Sequence, residues 1–144
     1  MRHWILGIAG EDPRSTLLRR VENRFWPMTK FTPNRRRLEA GDRVIFYLGK
    51  PECSFEGEGT LQTACVDVPA AKRAALAEGY RFSGDLGLYL KDIKLWKTPI
   101  GARPLVADLE FVAKKEYWGA YFQGGVIELS EKDLKMILER QRKG

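Results

Sequence analysis

The chain has 144 residues, 44% of them hydrophobic, 31% charged and 11% aromatic, a globular balance that builds a core and excludes a wholly disordered chain. Its formal net charge of +6 favours polyanionic partners, because a basic face releases condensed counterions when it meets phosphates. No apolar run reaches the length of a membrane span, and the run at residues 4–9 is too short for a signal peptide. The expectation is a cytoplasmic protein with no membrane partner, one domain over residues 1–144, and Cys53 and Cys65 as reduced thiols, Cys65 packed in a strand.

Residues 3–9 read as a first strand. Asp12 followed by Pro13 is a helix start, with Asp12 as N-cap and Pro13 in the first turn; Leu17, Leu18 and Val21 supply that helix's buried side. Residues 25–33 hold three aromatic rings and two prolines with neither helical nor strand period, so they read as a loop. Residues 43–48 form a short apolar run rich in β-formers, predicting a central strand covered on both faces. Residues 54–68 predict a second long strand, in which Gly57 and Gly59 mark a bulge or a close backbone approach. A proline-opened helix is expected at residues 69–77. Leu86, Leu88 and Leu90 alternate, then Ile93 and Leu95 continue on the opposite parity, so a strand bends near Lys91 and Asp92. A helical turn is expected at residues 104–108. Residues 117–125 form a second aromatic, glycine-rich loop, and Ser130 to Asp133 is a capping-box start to a last helix carrying Leu134, Ile137 and Leu138. Strands interrupted by short helices, with bends inside strands, predict an α+β fold: a small, curled, mixed β-barrel flanked by short helices.

Catalytic chemistry finds little support. His3 is the one histidine, it opens a strand, and Ser54 and Ser83 lack the context of a nucleophile. One His and two Cys do not meet the ligand count of a zinc site, so no metal or cofactor is expected. Glu56 and Glu58 read as a solvated strand edge, and Asp67 and Asp85 join no cluster. Gly57-Glu58-Gly59 lacks the third glycine and following helix of a nucleotide loop.

The four tryptophans divide by position. Trp4 and Trp96 fall in strands and read as packing. Trp26 and Trp118 fall in the two aromatic loops, where they either cap the barrel or form a cage in which a base stacks. The neighbouring basic run favours the cage: Lys30 and Arg35, Arg36 and Arg37 hold a backbone phosphate while Trp26 and Trp118 hold an unpaired base. Tyr121, in the second loop, joins the base-binding set. The bland reading of the arginine triplet is a solvated turn.

The chain resembles the EVE domain family of the PUA-like superfamily, relatives of YTH domains, from Trp4 to Leu138. The resemblance rests on the opening His3-Trp4-Ile5-Leu6, Phe25-Trp26-Pro27, the Gly41-Asp42 turn leading into Arg43-Val44-Ile45-Phe46-Tyr47, Glu56-Gly57-Glu58-Gly59, Tyr117-Trp118 and the closing Leu129-Ser130-Glu131-Lys132-Asp133. Two segments depart from the commoner family pattern: residues 7–13 replace Lys-Ser-Glu-Pro, and Trp26-Pro27-Met28 replaces Trp-Gly-Val. The resemblance implies a PUA-like barrel with a pocket between the first strand, the Trp26 loop and the later aromatic loop. It also implies recognition of a modified base in DNA or RNA rather than catalysis. On that pattern Trp26 and Trp118 are cage walls, Tyr47 is a floor residue, and Thr29 or Lys30 meets the ligand's polar edge or phosphate. The related ASCH domains supply an alternative, a ribonuclease or RNA-processing enzyme on the same fold; a small-molecule sensor using the same cage is the third reading.

Overall fold

The computed structural model describes residues 1–69, 86–123 and 125–143. In chain order these form β1 (His3–Ile8), α1 (Pro13–Asn23), β2 (Phe25–Met28), β3 (Arg43–Leu48), β4 (Ser54–Leu61), β5 (Val66–Asp67), β6 (Leu86–Gly101), β7 (Val126–Leu129) and α2 (Glu131–Lys143). Short 3₁₀ turns lie at Arg35–Arg37 and Arg103–Asp108, with a third segment at Lys115–Phe122 that kinks at Tyr117. The helix expected at residues 69–77 falls almost wholly outside the described residues, as do Ser83 and Asp85.

The sheet runs β2-β6-β4-β3-β1-β7, with β5 paired to β6 beside that path. Its one parallel pair among the described residues is β1 with β3; the other pairs are antiparallel. The sheet curls because β6 turns a corner. Its first residues pair with β2 and the rest with β4, and the register against β4 slips between Glu58 and Thr60. Asp92, at that slip, has a φ of 52°. This is the parity change that Leu90 and Ile93 announce. Gly57 is needed at the corner, because a Cβ there would lie 2.5 Å from the Lys94 carbonyl oxygen.

Strand parity splits the interior into two cores. On one face Trp4 and Leu6 of β1 and Val44, Phe46 and Leu48 of β3 pack with Leu17 of α1 and with Trp26 and Leu88. On the other, Ile5 of β1 and Ile45 and Tyr47 of β3 pack with Phe55, Trp96, Phe122 and, from α2, Leu134 and Ile137. β3 is thus covered on both faces, as its unbroken apolar run requires.

Four expectations are corrected. Residues 25–28 are a strand, not a loop: β2 ends the sheet path, where Pro27 does not interrupt a central ladder. The strand expected through residue 68 stops at Leu61, and Cys65 sits in the bend before β5. Glu56 is not on a solvated edge. It is 3% exposed on a central strand, takes a hydrogen bond from Ser54 Oγ and pairs with Arg14 of α1. Glu58, half-buried, accepts from Arg43 Nη2 (3.1 Å) and Trp96 Nε1 (3.0 Å). β7 had no counterpart among the sequence expectations.

Helix ends follow local chemistry. Asp12 accepts from the Ser15 N–H at 3.3 Å with Pro13 in the first turn of α1. Ser130 Oγ accepts from the Asp133 N–H at 3.1 Å at the start of α2, but Asp133 does not return the bond as a capping box would. Its buried carboxylate accepts instead from the N–H groups of Glu110 (2.9 Å) and Phe111 (3.3 Å), so the cap ties α2 to the preceding loop.

Trp26 is 3% exposed and stacks on Phe46 at 5.6 Å between ring centroids. Trp26→Ala is therefore expected to lower stability by about 3–5 kcal/mol, the range for emptying a buried aromatic site, in urea unfolding followed by circular dichroism. The buried Asp42 carboxylate accepts from the Arg2 and Glu39 backbone N–H groups and from Trp4 Nε1, so Asp42→Asn, which replaces one acceptor oxygen by an NH₂ group, is expected to lose about 1–3 kcal/mol in the same measurement.

Candidate nucleic-acid interface

A cleft of about 700 Å³ opens at the carboxyl ends of the parallel strands β1 and β3. Gly7 and Ile8 of β1 and Tyr47 of β3 form its base. The turn between β3 and β4 supplies one side with Gly49, Lys50 and Cys53, and the 3₁₀ segment supplies the other with Tyr117, Trp118 and Phe122. Gly125 closes the rim with a φ of 78°, a conformation that favours glycine, and its carbonyl accepts from the Gly7 N–H at 2.8 Å.

The rings form a connected series. Phe122 stacks on Tyr47 at 4.4 Å with 23° between planes, and Trp118 meets Phe122 edge-on at 5.9 Å. Phe111 braces Phe122 from another side at 5.2 Å. Trp118 is thus anchored at one edge and half-buried, with the Arg103 guanidinium 5.9 Å from its ring centroid. Tyr117 is 65% exposed at the mouth. Lys50 and Arg103 bring positive charge to the lining and Glu116 brings a negative one. The lining thus combines an aromatic wall with two cations and one carboxylate.

The structure brings together Tyr47 and Trp118 of the residues singled out from the sequence, and separates the rest. Trp26 touches Phe46, whereas Trp118 reaches Tyr47 through Phe122. Phe46 and Tyr47 are consecutive on β3, so their side chains leave opposite faces of the sheet. The two indoles therefore cannot sandwich one guest, and the pocket lies beside the β3–β4 turn instead of the Trp26 segment. Tyr121 packs into the second core, and its hydroxyl accepts from the Lys114 N–H at 3.1 Å outside the cleft lining. Thr29 and Lys30 also lie outside the lining, in a turn after β2.

The arginine triplet is split by its contacts. Arg37 pairs with Glu128 at 2.6 Å and lies over the Trp4 ring at 5.4 Å, tying its turn to β1 and β7. Arg35 Nε donates to the Lys30 carbonyl at 3.2 Å. The Arg36 side chain is exposed and makes no hydrogen bond or ion pair among the described residues. The lining residues beyond the sequence set include Tyr117, Phe122, Lys50, Cys53, Arg103 and the glycines Gly7, Gly49 and Gly125. Tyr117 stood next to Trp118 in the aromatic stretch, which was signal enough to find it. The glycines and Cys53 carry no local mark of a site.

Among the described residues no group of three or more His, Cys, Asp or Glu side chains is placed to hold a metal ion, and no helix is long and apolar enough to cross a membrane. Both cysteines are free.

No family model matches the chain. A UPF0310 protein of Mycolicibacterium vanbaalenii is 28% identical over 148 aligned positions, covering 95% of this chain and 90% of the relative. Among solved structures, the YTH domain of the Zygosaccharomyces rouxii MRB1 protein, in complex with N6-methyladenosine RNA, superposes with a TM-score of 0.66 at 11% identity, covering 96% of this chain and 86% of that one. The human THYN1 protein, in complex with DNA containing 5-methylcytosine, gives a TM-score of 0.66 at 10% identity, covering 100% and 99%. At these identities the likeness establishes the fold: a curled mixed sheet with short flanking helices, of the PUA-like type.

Burial pushes the Tyr47 phenol well above the ordinary tyrosine range, and the neighbouring Cys53 adds to the shift. The neutral phenol is thus favoured in the folded state. Its contribution to stability is complete below about pH 10 and is lost as the pH rises beyond that. Tyr47→Phe is expected to flatten the fall in the urea-unfolding midpoint above about pH 10.

Proposed function

We propose that the chain is a cytoplasmic, EVE-type reader module, a binding domain and not an enzyme, that holds a modified, unpaired base of DNA or RNA against Trp118 in the cleft above Tyr47. The observation that carries this reading is the braced series Trp118–Phe122–Tyr47 at the ends of β1 and β3, open on the side where Tyr117 stands and flanked by Lys50 and Arg103. An aromatic wall of this kind offers a base about 1–3 kcal/mol of stacking without a hydrogen-bond code, and two rim cations suit the adjoining phosphates. The fold neighbours bound to N6-methyladenosine RNA and to 5-methylcytosine DNA support the assignment. The charge of +6 points the same way.

The test uses short single-stranded DNA with one 5-methylcytosine, short RNA with one N6-methyladenosine, and their unmodified counterparts, in fluorescence anisotropy. Preference for one modified strand is expected, with affinity falling steeply as salt rises. Trp118→Ala is expected to weaken that binding roughly 10- to 100-fold with the circular dichroism spectrum and urea midpoint little changed. Cleavage of the RNA without added metal, or affinity indifferent to the modification, would overturn the reading.

A further inference from the structure

The turn between β2 and the Arg35–Arg37 helix carries a ring that the cleft does not use. Phe31 is 81% exposed, yet it is not on a loose loop. The Thr29 N–H donates to Thr32 Oγ1 at 3.0 Å, the Phe31 N–H to Thr29 Oγ1 at 3.1 Å, and the Thr32 N–H to the Thr29 carbonyl at 3.1 Å. Arg35 Nε closes the turn from outside on the Lys30 carbonyl at 3.2 Å. Four hydrogen bonds thus hold an apolar ring out in water, where its burial in the core would have been favourable. From Phe25 to Leu38 the chain contains Lys30, Arg35, Arg36 and Arg37 and no acidic residue. Arg37 is neutralised by Glu128, while Lys30 Nζ lies 5.2 Å from the Phe31 ring centroid and Arg36 is exposed. The patch is an aromatic face ringed by cations, which repels a basic partner and matches a base flanked by phosphates.

The turn is also fastened beside the cleft. Asn34 Nδ2 donates to the Val126 carbonyl at 2.9 Å, one residue from the lining residue Gly125. Three residues of chain separate Phe31 from Asn34 and span at most about 10 Å, which keeps the ring near the Asn34–Val126 contact.

We propose that Phe31 is a second stacking contact, outside the cleft, which engages a base neighbouring the one held against Trp118, while Lys30 and Arg36 meet the adjoining phosphates. The proposal rests on the reader reading and extends it from one base to a short stretch of strand. It makes the turn a determinant of strand affinity, while recognition of the modification stays with the cleft.

The experiment pairs Phe31→Ala and Phe31→Trp with two probes: the preferred modified strand, and the same strand with abasic sites at the neighbouring positions on both sides of the modified base. Phe31→Ala is expected to bind the intact strand roughly 10- to 100-fold more weakly and the abasic-flanked strand as well as the unaltered protein does. Phe31→Trp is expected to restore binding to the intact strand, with urea midpoints unchanged throughout. Lys30→Ala and Arg36→Ala are each expected to reduce the salt slope by about one. Equal binding of the intact strand by Phe31→Ala and the unaltered protein, while Trp118→Ala still fails, would overturn the proposal and leave the reader reading standing. An equal loss by Phe31→Ala on both probes would overturn it too, since the ring would then be supporting the cleft. If the unaltered protein binds no nucleic acid, the reader reading falls and this one with it.

Discussion

The carboxylate of Asp42 is the point from which the geometry of the site is set. It is 2% exposed and takes three N–H donors: the Arg2 backbone at 3.0 Å, Trp4 Nε1 at 2.9 Å and the Glu39 backbone at 3.1 Å. Two of these come from the start of β1 and one from the turn that leads into β3. The bonds therefore hold together the amino ends of two strands that are distant in sequence and parallel in space. A parallel pair has no hairpin to set its register. Here a buried anion with satisfied lone pairs does so, and Gly41, at φ 94°, lets the chain turn into it. The cleft lies at the opposite ends of the same two strands, so its base inherits the alignment established at Asp42.

Given that register, the two-residue period of a strand decides which side chains share a site. Phe46 and Tyr47 are neighbours in sequence and belong to different cores. Trp26 follows Phe46 inward, under the Arg20 guanidinium at 4.6 Å from its centroid. Trp118 follows Tyr47 to the cleft by way of Phe122. Two similar indoles thus take unrelated roles, one stabilising the barrel and one standing half-exposed at its end. The bend in β6 serves the same division, because it lets one strand pair with β2 on one side of the corner and with β4 on the other.

Positive charge is divided in a comparable way. Arg14 offsets the buried Glu56, Arg43 meets Glu58, and Arg37 joins the turn after β2 to β7 through Glu128. These cations are occupied within the fold. Lys30 and Arg36 on the outer turn, and Lys50 and Arg103 at the cleft, form no ion pair among the described residues. The net charge of +6 alone did not separate the two groups.

Much of the architecture was legible in the order of residues because it depends on local chemistry. The Asp12-Pro13 start of α1, the Ser130 cap of α2, the doubly covered β3 run and the parity change in β6 each have a mark within a few positions of the element they define. Trp118 was marked as a candidate by the rings and glycines around it and Tyr47 by the family resemblance, and both line the cleft. Other features had no such mark. Pro27 and three rings within residues 25–33 hid β2, whose ladder partner lies some sixty positions later in β6. Glu56 read as solvated until Arg14 and Ser54 were brought to it. The burial of Trp26, and its separation from Trp118, follow from which face of β3 each ring meets. That choice is made by pairing between distant strands, and pairing energy resides in contacts that no short window of sequence contains.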